Sequence, residues 1–422
     1  MKRAELIIDK LVHGGQGLAH DDVGRAVFVW GALPGEKVEV RYTRIKKEWA
    51  DAVAEEILTA SDIRIIPEEP EAYLSTSPWQ ICQYEFENLQ KSELLKEMFK
   101  SSNLKWHDFY APTERYGYRN KMEYNFWYDT EHNTVSLAMH ARGSHNKNSV
   151  NGSCLAMPSI NTAGKKIIDF LNNHSIGGRQ LKSVVMRSDT SGNVEAVLYV
   201  TDKDVARLPW QKVQCGVTIA YSNPKSPASV ITERLSSFGK GFLEDTVLGT
   251  HYRYSPEGFF QVNVKVYEET LRDIQKFVTD DDITDMYAGV GSIGMSLSYR
   301  SLISVELDEQ SHIQALRNAE NHANTTIVHA STENSLEYIT ADRVLIVDPP
   351  RAGLHKNVVA KIVEVKPKKV VYVSCNPATQ ARDIGELLRV GYSAVFCRGY
   401  NYFPATPHIE SLIILERKEK NV

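Results

Sequence analysis

From Tyr252 onward the chain changes rhythm, and that change constrains the fold more than any other feature. Apolar residues follow a helical period over 262–277, then gather in short β-rich runs at 283–287, 302–306, 326–329, 344–347, 370–374, 393–398 and 411–416, with helical patterns between several of them. Strand and helix in turn describe an open, largely parallel α/β sheet, because parallel neighbours need a crossover and the crossover is normally a helix. Such a sheet binds its ligands beyond the carboxyl ends of its strands, so that edge is where chemistry is sought.

The preceding residues obey other rules. Up to about residue 60, short strands at 5–11, 26–30, 37–45 and 50–58 are broken by Gly14, Gly15, Gly17 and Pro34-Gly35, the spacing of a small OB-like β-barrel. Ile63 to Pro78 carries Glu-Glu-Pro-Glu and Ser-Thr-Ser-Pro and reads as a linker. A helical period runs from Tyr84 to Ser101, and alternating strands fill most of 116–254, giving a middle α+β region. The expected division is 1–60, 61–255 and 256–422.

Nothing in the 422 residues approaches about 18 uninterrupted apolar positions, and the start, MKRAELIIDK, lacks the apolar stretch of a secretory leader. Five scattered cysteines make no disulfide framework. A cytoplasmic setting is expected, with no membrane partner and a monomer as the default. The 49 basic and 53 acidic side chains leave a net charge of −4, so a nucleic acid would have to be met by a local basic face.

The strand at 283–287 runs into Ala-Gly289-Val-Gly291-Ser292-Ile-Gly294, a G-x-G-x-x-G turn expected to lead into a helix. Glu306 ends the next strand, where a carboxylate accepts hydrogen bonds from ribose hydroxyls. A nicotinamide enzyme would share both features. The fourth strand separates the readings: it ends in Asp348-Pro-Pro-Arg351, a stiff turn that aims an acid at a cofactor, and favours methyl transfer from S-adenosylmethionine (SAM).

The fifth strand delivers Cys375, followed by Asn376-Pro377, to the same edge. Most lone cysteines are small buried hydrophobes, the reading given to Cys215 and Cys397; Cys375 is set apart by its place. A thiol of pKa about 8.5 is only a few per cent thiolate at pH 7, so activation is required. Near the C-terminus Thr406, His408 and Glu410 alternate, which would place them on one side of a strand and let Glu410 meet Cys375 as a general base.

With GYRNK, PEGFFQVN, DPPR, SCNPAT and FPATPHIE in this order, nearly the whole chain resembles the SAM-dependent RNA uridine-C5 methyltransferase family. The first 60 residues look like the TRAM domain, an OB-like RNA-binding module. The resemblance implies a Rossmann-like methyltransferase domain behind a TRAM barrel and a middle α+β domain that both bind RNA, with 23S ribosomal RNA favoured over transfer RNA. It implies that Cys375 adds to C6 of uracil and that Glu410 later removes the C5 proton. It further implies SAM contacts from Gln261, Tyr287, Glu306 and Asp348, joined by Gly289, Gly291, Ser292 and Ser331. Phe259 would stack on a flipped uracil, and Arg119 and Arg351 would hold a phosphate or the uracil edge.

Several TRAM-bearing relatives hold a [4Fe–4S] cluster on a C-x5-C-x2-C run plus a later cysteine. Here Tyr73 and Trp79 stand in the first two places, leaving Cys82 and Cys154. Two thiolates cannot supply four ligands, so neither a cluster nor another metal is expected. Two other readings stay open: an amino-methyltransferase that uses Asp-Pro-Pro and has no need of Cys375, and an RNA-binding protein whose cofactor pocket has decayed.

Overall fold

The structure, a computed structural model, describes residues 2–143, 146–227 and 229–417. The chain divides into two compact units. One holds the residues up to Lys91, Glu114–Gly241 and Phe403–His408; the other holds Ser92–Thr113, Phe242–Tyr402 and the residues from Ile409 onward. The division falls inside the helix Tyr84–Met98.

In the first unit, six strands run in the spatial order Arg3–Ile7, Lys37–Ile45, Trp49–Thr59, Ala26–Trp30, Gly17–His20 and Lys10–Leu11. Val27 and Val29, Val38 and Val40, and Ala50 and Ala52 alternate with less buried residues such as Phe28, Glu39 and Asp51 and point into one core. A second, seven-stranded sheet lies across the middle region, and the helix Pro158–Asn173 packs Ile160, Ala163, Ile167, Phe170 and Leu171 on it. The region expected as a linker is instead tied down. Arg64 clamps the buried Glu36 with two bonds of 2.5 and 2.7 Å, and the indole N–H of the buried Trp79 donates to the Gly15 carbonyl at 3.0 Å. Proline, serine and glutamate there mark irregular backbone, which side chains anchor.

The second unit is built on a sheet in the order Thr325–His329, Tyr299–Glu306, Asp281–Met286, Val344–Val347, Lys369–Ser374, Glu410–Arg417 and Tyr392–Tyr400. The first five are mutually parallel, and Glu410–Arg417 runs antiparallel to both its neighbours. Val344 to Val347 and Leu412 to Leu415 are buried throughout, the continuous apolar runs of a sheet covered on both faces. The strand order reverses between Asp281–Met286 and Val344–Val347, which opens a crevice at their carboxyl ends. The helices Val264–Gln275, Glu309–Asn318, Lys356–Val365 and Pro377–Arg389 belong to this unit.

Two expectations fail locally. No α-helix follows the glycine turn; a single 3₁₀ turn, Gly294–Ser296, leads to the next strand. Glycine and serine are poor helix formers, and here the Ser296 hydroxyl is drawn to the Ser292 carbonyl at 2.8 Å and to the Tyr252 hydroxyl at 2.7 Å. The last strand begins only at Glu410, so Thr406 and His408 do not share a strand face with it. Pro404 and Pro407 lack the N–H a ladder requires, and the Thr406 hydroxyl closes a turn on the Phe403 carbonyl at 2.7 Å. Among the described residues, no helix is long and apolar enough to cross a membrane.

Candidate active site

At the end of Asp281–Met286 the chain turns sharply, with Tyr287, Gly289 and Gly291 at φ of +62°, +58° and +82°. A left-handed tyrosine is costly and has to be held by its surroundings. Its half-buried hydroxyl bonds the Thr332 side chain and the His355 backbone, and burial raises its pKa. The three glycines serve different ends. A Cβ on Gly294 would sit 2.7 Å from Leu302 Cδ1 and 3.0 Å from Asp285 Oδ2, a packing demand, whereas Gly291 is required by its left-handed φ, since a Cβ there would meet only the flexible Met295 side chain. A Cβ on Gly289 would meet only the Phe259 ring, at 3.6 Å. Phe259 therefore lies over the turn, 59% exposed and outside the core.

Glu306 is fixed at the mouth of this turn: its two carboxylate oxygens accept the N–H of Gly289 at 2.7 Å and of Asp308 at 2.6 Å. Across the crevice the Gln261 amide reaches Asp348 at 3.5 Å. The buried Ser331 hydroxyl finds no partner among the described residues. An orphaned hydroxyl, an anchored carboxylate and an open glycine suit a nucleoside with ribose hydroxyls and polar ring edges. Ser292 is turned away from such a ligand, its hydroxyl bonded to that of Tyr267 at 2.7 Å in the core.

Sequence reading overlooked Asp285. It is fully buried, one oxygen accepts the Gly294 N–H at 3.0 Å, and the other has no hydrogen-bond partner among the described residues. Burial first, and then the Asp348 and Glu306 carboxyls, push it up to about 7. Nothing in the sequence sets it apart, since it is one of three aspartates in the strand Asp281–Met286.

Ser374 pairs with Ser411 in the antiparallel register, so Cys375 and Glu410 stand side by side one position beyond that pair. Burial lifts the Glu410 carboxyl well above its ordinary range; Asp348 adds to the shift and Arg351 opposes it. Asp348, half-buried at its strand end, is raised to about 7 by desolvation. The half-buried Cys375 thiol is pushed up to about 12 by burial, Glu410 and Asp348, again against Arg351. The exposed Arg351 guanidinium makes no ion pair with any described residue. Cys375 also directly precedes the N-cap of Pro377–Arg389, whose positive end favours a thiolate. The edge thus gathers a thiol, two carboxyls whose pKa values are raised by burial, and one cation.

Arg119 belongs to the first unit, where its Nε donates to the Lys121 carbonyl at 3.0 Å and its guanidinium lies 5.9 Å from the Phe403 ring centre. Cys82 and Cys154 are both free thiols with different partners. Cys82 donates to the Trp79 carbonyl at 3.2 Å, whereas Cys154 donates to Glu69 at 3.1 Å and accepts from Gln80 at 3.3 Å. No group of three or more His, Cys, Asp or Glu among the described residues is disposed to hold a metal.

A parallel sheet with a glycine turn, an acid-ended second strand and a thiol at its reactive edge defines a Rossmann-like methyltransferase fold. The chain belongs to the tRNA (uracil-5-)-methyltransferase family, whose model matches residues 83–418, and a TRAM domain matches residues 2–54. It is 29% identical to an uncharacterized RNA methyltransferase of Listeria innocua, over 98% of this chain and 97% of that one. To another from Thermotoga maritima it is 28% identical, over 98% and 99%. The Pyrococcus abyssi tRNA (uracil-54, C5)-methyltransferase, solved with S-adenosyl-L-homocysteine, superposes with a TM-score of 0.80 at 23% identity, over 98% of this chain and all of that one.

Proposed function

We propose that this protein uses SAM to form 5-methyluridine in structured RNA by covalent catalysis, acting as a monomer in the cytoplasm. The observation that carries the reading is the side-by-side placement of Cys375 and Glu410 beside a crevice fit for a nucleoside cofactor. Glu306 would hold the ribose, Ser331 a ring edge, and Gln261 with Asp348 the amino-acid end. SAM supplies a methyl group on a sulfonium sulfur and leaves as S-adenosylhomocysteine. Cys375, as thiolate, forms an S–C6 bond while the C5=C6 electron pair moves toward O4, and this makes C5 nucleophilic. After C5 carries the methyl group, ionised Glu410 takes the C5 proton; the electron pair restores C5=C6 and the thiolate leaves. A carboxylate of raised pKa is the stronger base for that proton. Phe259, over the glycine turn, would stack on the extruded base.

The leading substrate is 23S ribosomal RNA, by analogy with enzymes that carry a TRAM barrel ahead of the catalytic part. Transfer RNA is the second reading, favoured by the description of the matched family and by the tRNA enzyme of Pyrococcus abyssi. Nucleotide-resolved mass spectrometry of RNA from cells with and without the protein separates them. Loss of one or more 5-methyluridines from 23S RNA is expected. Loss from transfer RNA alone would move the substrate, and loss from neither would refute the proposal.

A further inference from the structure

The loop after Asp348 and the helix after Cys375 are joined by more bonds than packing requires. Asn376 Nδ2 and Thr379 Oγ1 both donate to the Arg351 carbonyl, at 2.8 and 3.2 Å. Arg382 donates to the Ala352 carbonyl at 3.2 Å. Asp383, 2% exposed, accepts from the Leu354 N–H at 2.9 Å and the Tyr372 hydroxyl at 2.8 Å with one oxygen, and from Arg382 at 2.7 Å with the other. Gly353, at φ +78°, lies so close that a Cβ there would stand 2.7 Å from Arg382 Nη2, 2.8 Å from Asp383 Oδ2 and 2.9 Å from Thr379 Cβ. Every carbonyl or N–H thus caught lies between Arg351 and Leu354, and every side chain that catches one is the N-cap Asn376 or lies on the first two turns of the helix that follows Cys375.

We propose that Thr379 and Asp383 are positioning residues: they latch the Arg351 loop onto the nucleophile's helix and thereby fix the Arg351 guanidinium as the cationic partner of the Cys375 thiolate. Cys375 faces Glu410 from the last strand, Asp348 and Arg351 from the loop, and the amino end of its own helix. Arg351 is the one cation in that set, and it hangs from a loop rather than a strand. Its side chain has no ion pair among the described residues, so the backbone beneath sets its position. The thiol proton passes to solvent water, and the guanidinium offsets the negative charge left on sulfur.

The inference rests on the reading of Cys375 as nucleophile, and its test is kept separate from turnover. The rate of Cys375 alkylation by iodoacetamide is measured against pH in the full-length protein without RNA, and the modified peptide is identified by mass spectrometry. Arg351→Ala is expected to slow alkylation about threefold to tenfold at a given pH, moving the profile up by half a unit to one unit. Thr379→Val and Asp383→Asn should move it the same way by a smaller amount, adding little on top of Arg351→Ala, and Thr379→Ser should restore the original profile. Thr379→Val removes one hydroxyl and keeps the Asn376 bond, so it tests the latch even if Asp383→Asn fails to fold. An unmoved profile in Arg351→Ala overturns the cation's role; an unmoved profile in Thr379→Val and folded Asp383→Asn overturns the latch. Turnover surviving in Cys375→Ala would refute the nucleophile instead, whatever the alkylation shows.

Discussion

Asp285→Asn should change how stability depends on pH. In the folded protein this carboxyl stands at about 7 instead of 3.8, principally through burial. Between those values the native state keeps a proton that the unfolded chain has lost, so the stability linked to Asp285 is complete below pH 4 and falls as pH rises through 7. At 1.36 kcal/mol per unit, the full shift corresponds to about 4 kcal/mol. Part of the shift comes from the neighbouring Asp348 and Glu306 carboxyls and from relaxation around the site, so about 2 kcal/mol is the effect expected. Asparagine cannot ionise, and its amide oxygen can still accept from Gly294. The variant should match the parent near pH 4.5 and exceed it by about 2 kcal/mol at pH 8, or 4–8 °C in the melting of a unit of this size. Scanning calorimetry of both proteins without ligand, from pH 4.5 to 8, makes the comparison. Parallel pH curves would show that Asp285 does not hold its proton in the folded state.

Glu410→Gln should lower turnover at least a hundredfold. Because thiolate addition precedes the missing step, it should also accumulate a covalent complex with unmodified RNA, visible on denaturing gels; equal loss of turnover and adduct would contradict the assigned order. kcat/KM should climb from pH 6 to 9, since Glu410 and Cys375, both raised by burial, must each ionise. A rate that falls over that range would overturn the assignment of base and nucleophile. Cys375→Ala should abolish turnover yet bind SAM with unchanged affinity by calorimetry, because the cofactor contacts lie on other strands. Protein purified without oxygen should carry iron and sulfide far below the four per chain of a full cluster; cluster stoichiometry would show that ligands other than Cys82 and Cys154 complete a site.

The catalytic sheet was legible because its central strands Val344–Val347 and Lys369–Ser374 are buried and read as apolar runs, with Asp348 directly after the first and Cys375 directly after the second. The crossover after Gly294 was not, since its serines spend their hydroxyls on local backbone and on Tyr252, contacts that no periodicity encodes. The helix Pro158–Asn173 was missed among strands although Pro158 opens it and its buried stripe recurs at helical spacing. Alternation led to a wrong register at Thr406 and His408 because two prolines keep that stretch out of the ladder. Asp285, Thr379 and Asp383 could not be found as members of a site, since each acquires its meaning only from backbone groups distant in sequence.

The central claim is a transient bond between Cys375 and uracil. An RNA carrying 5-fluorouridine at the target position leaves no C5 proton for Glu410 to take, so the enzyme should stall after methyl transfer. Incubated with SAM, it should yield a complex stable to denaturant whose RNA-linked peptide contains Cys375, and it should yield none with Cys375→Ala. A preparation that methylates ordinary RNA but forms no such complex, or forms it through another residue, would contradict the account.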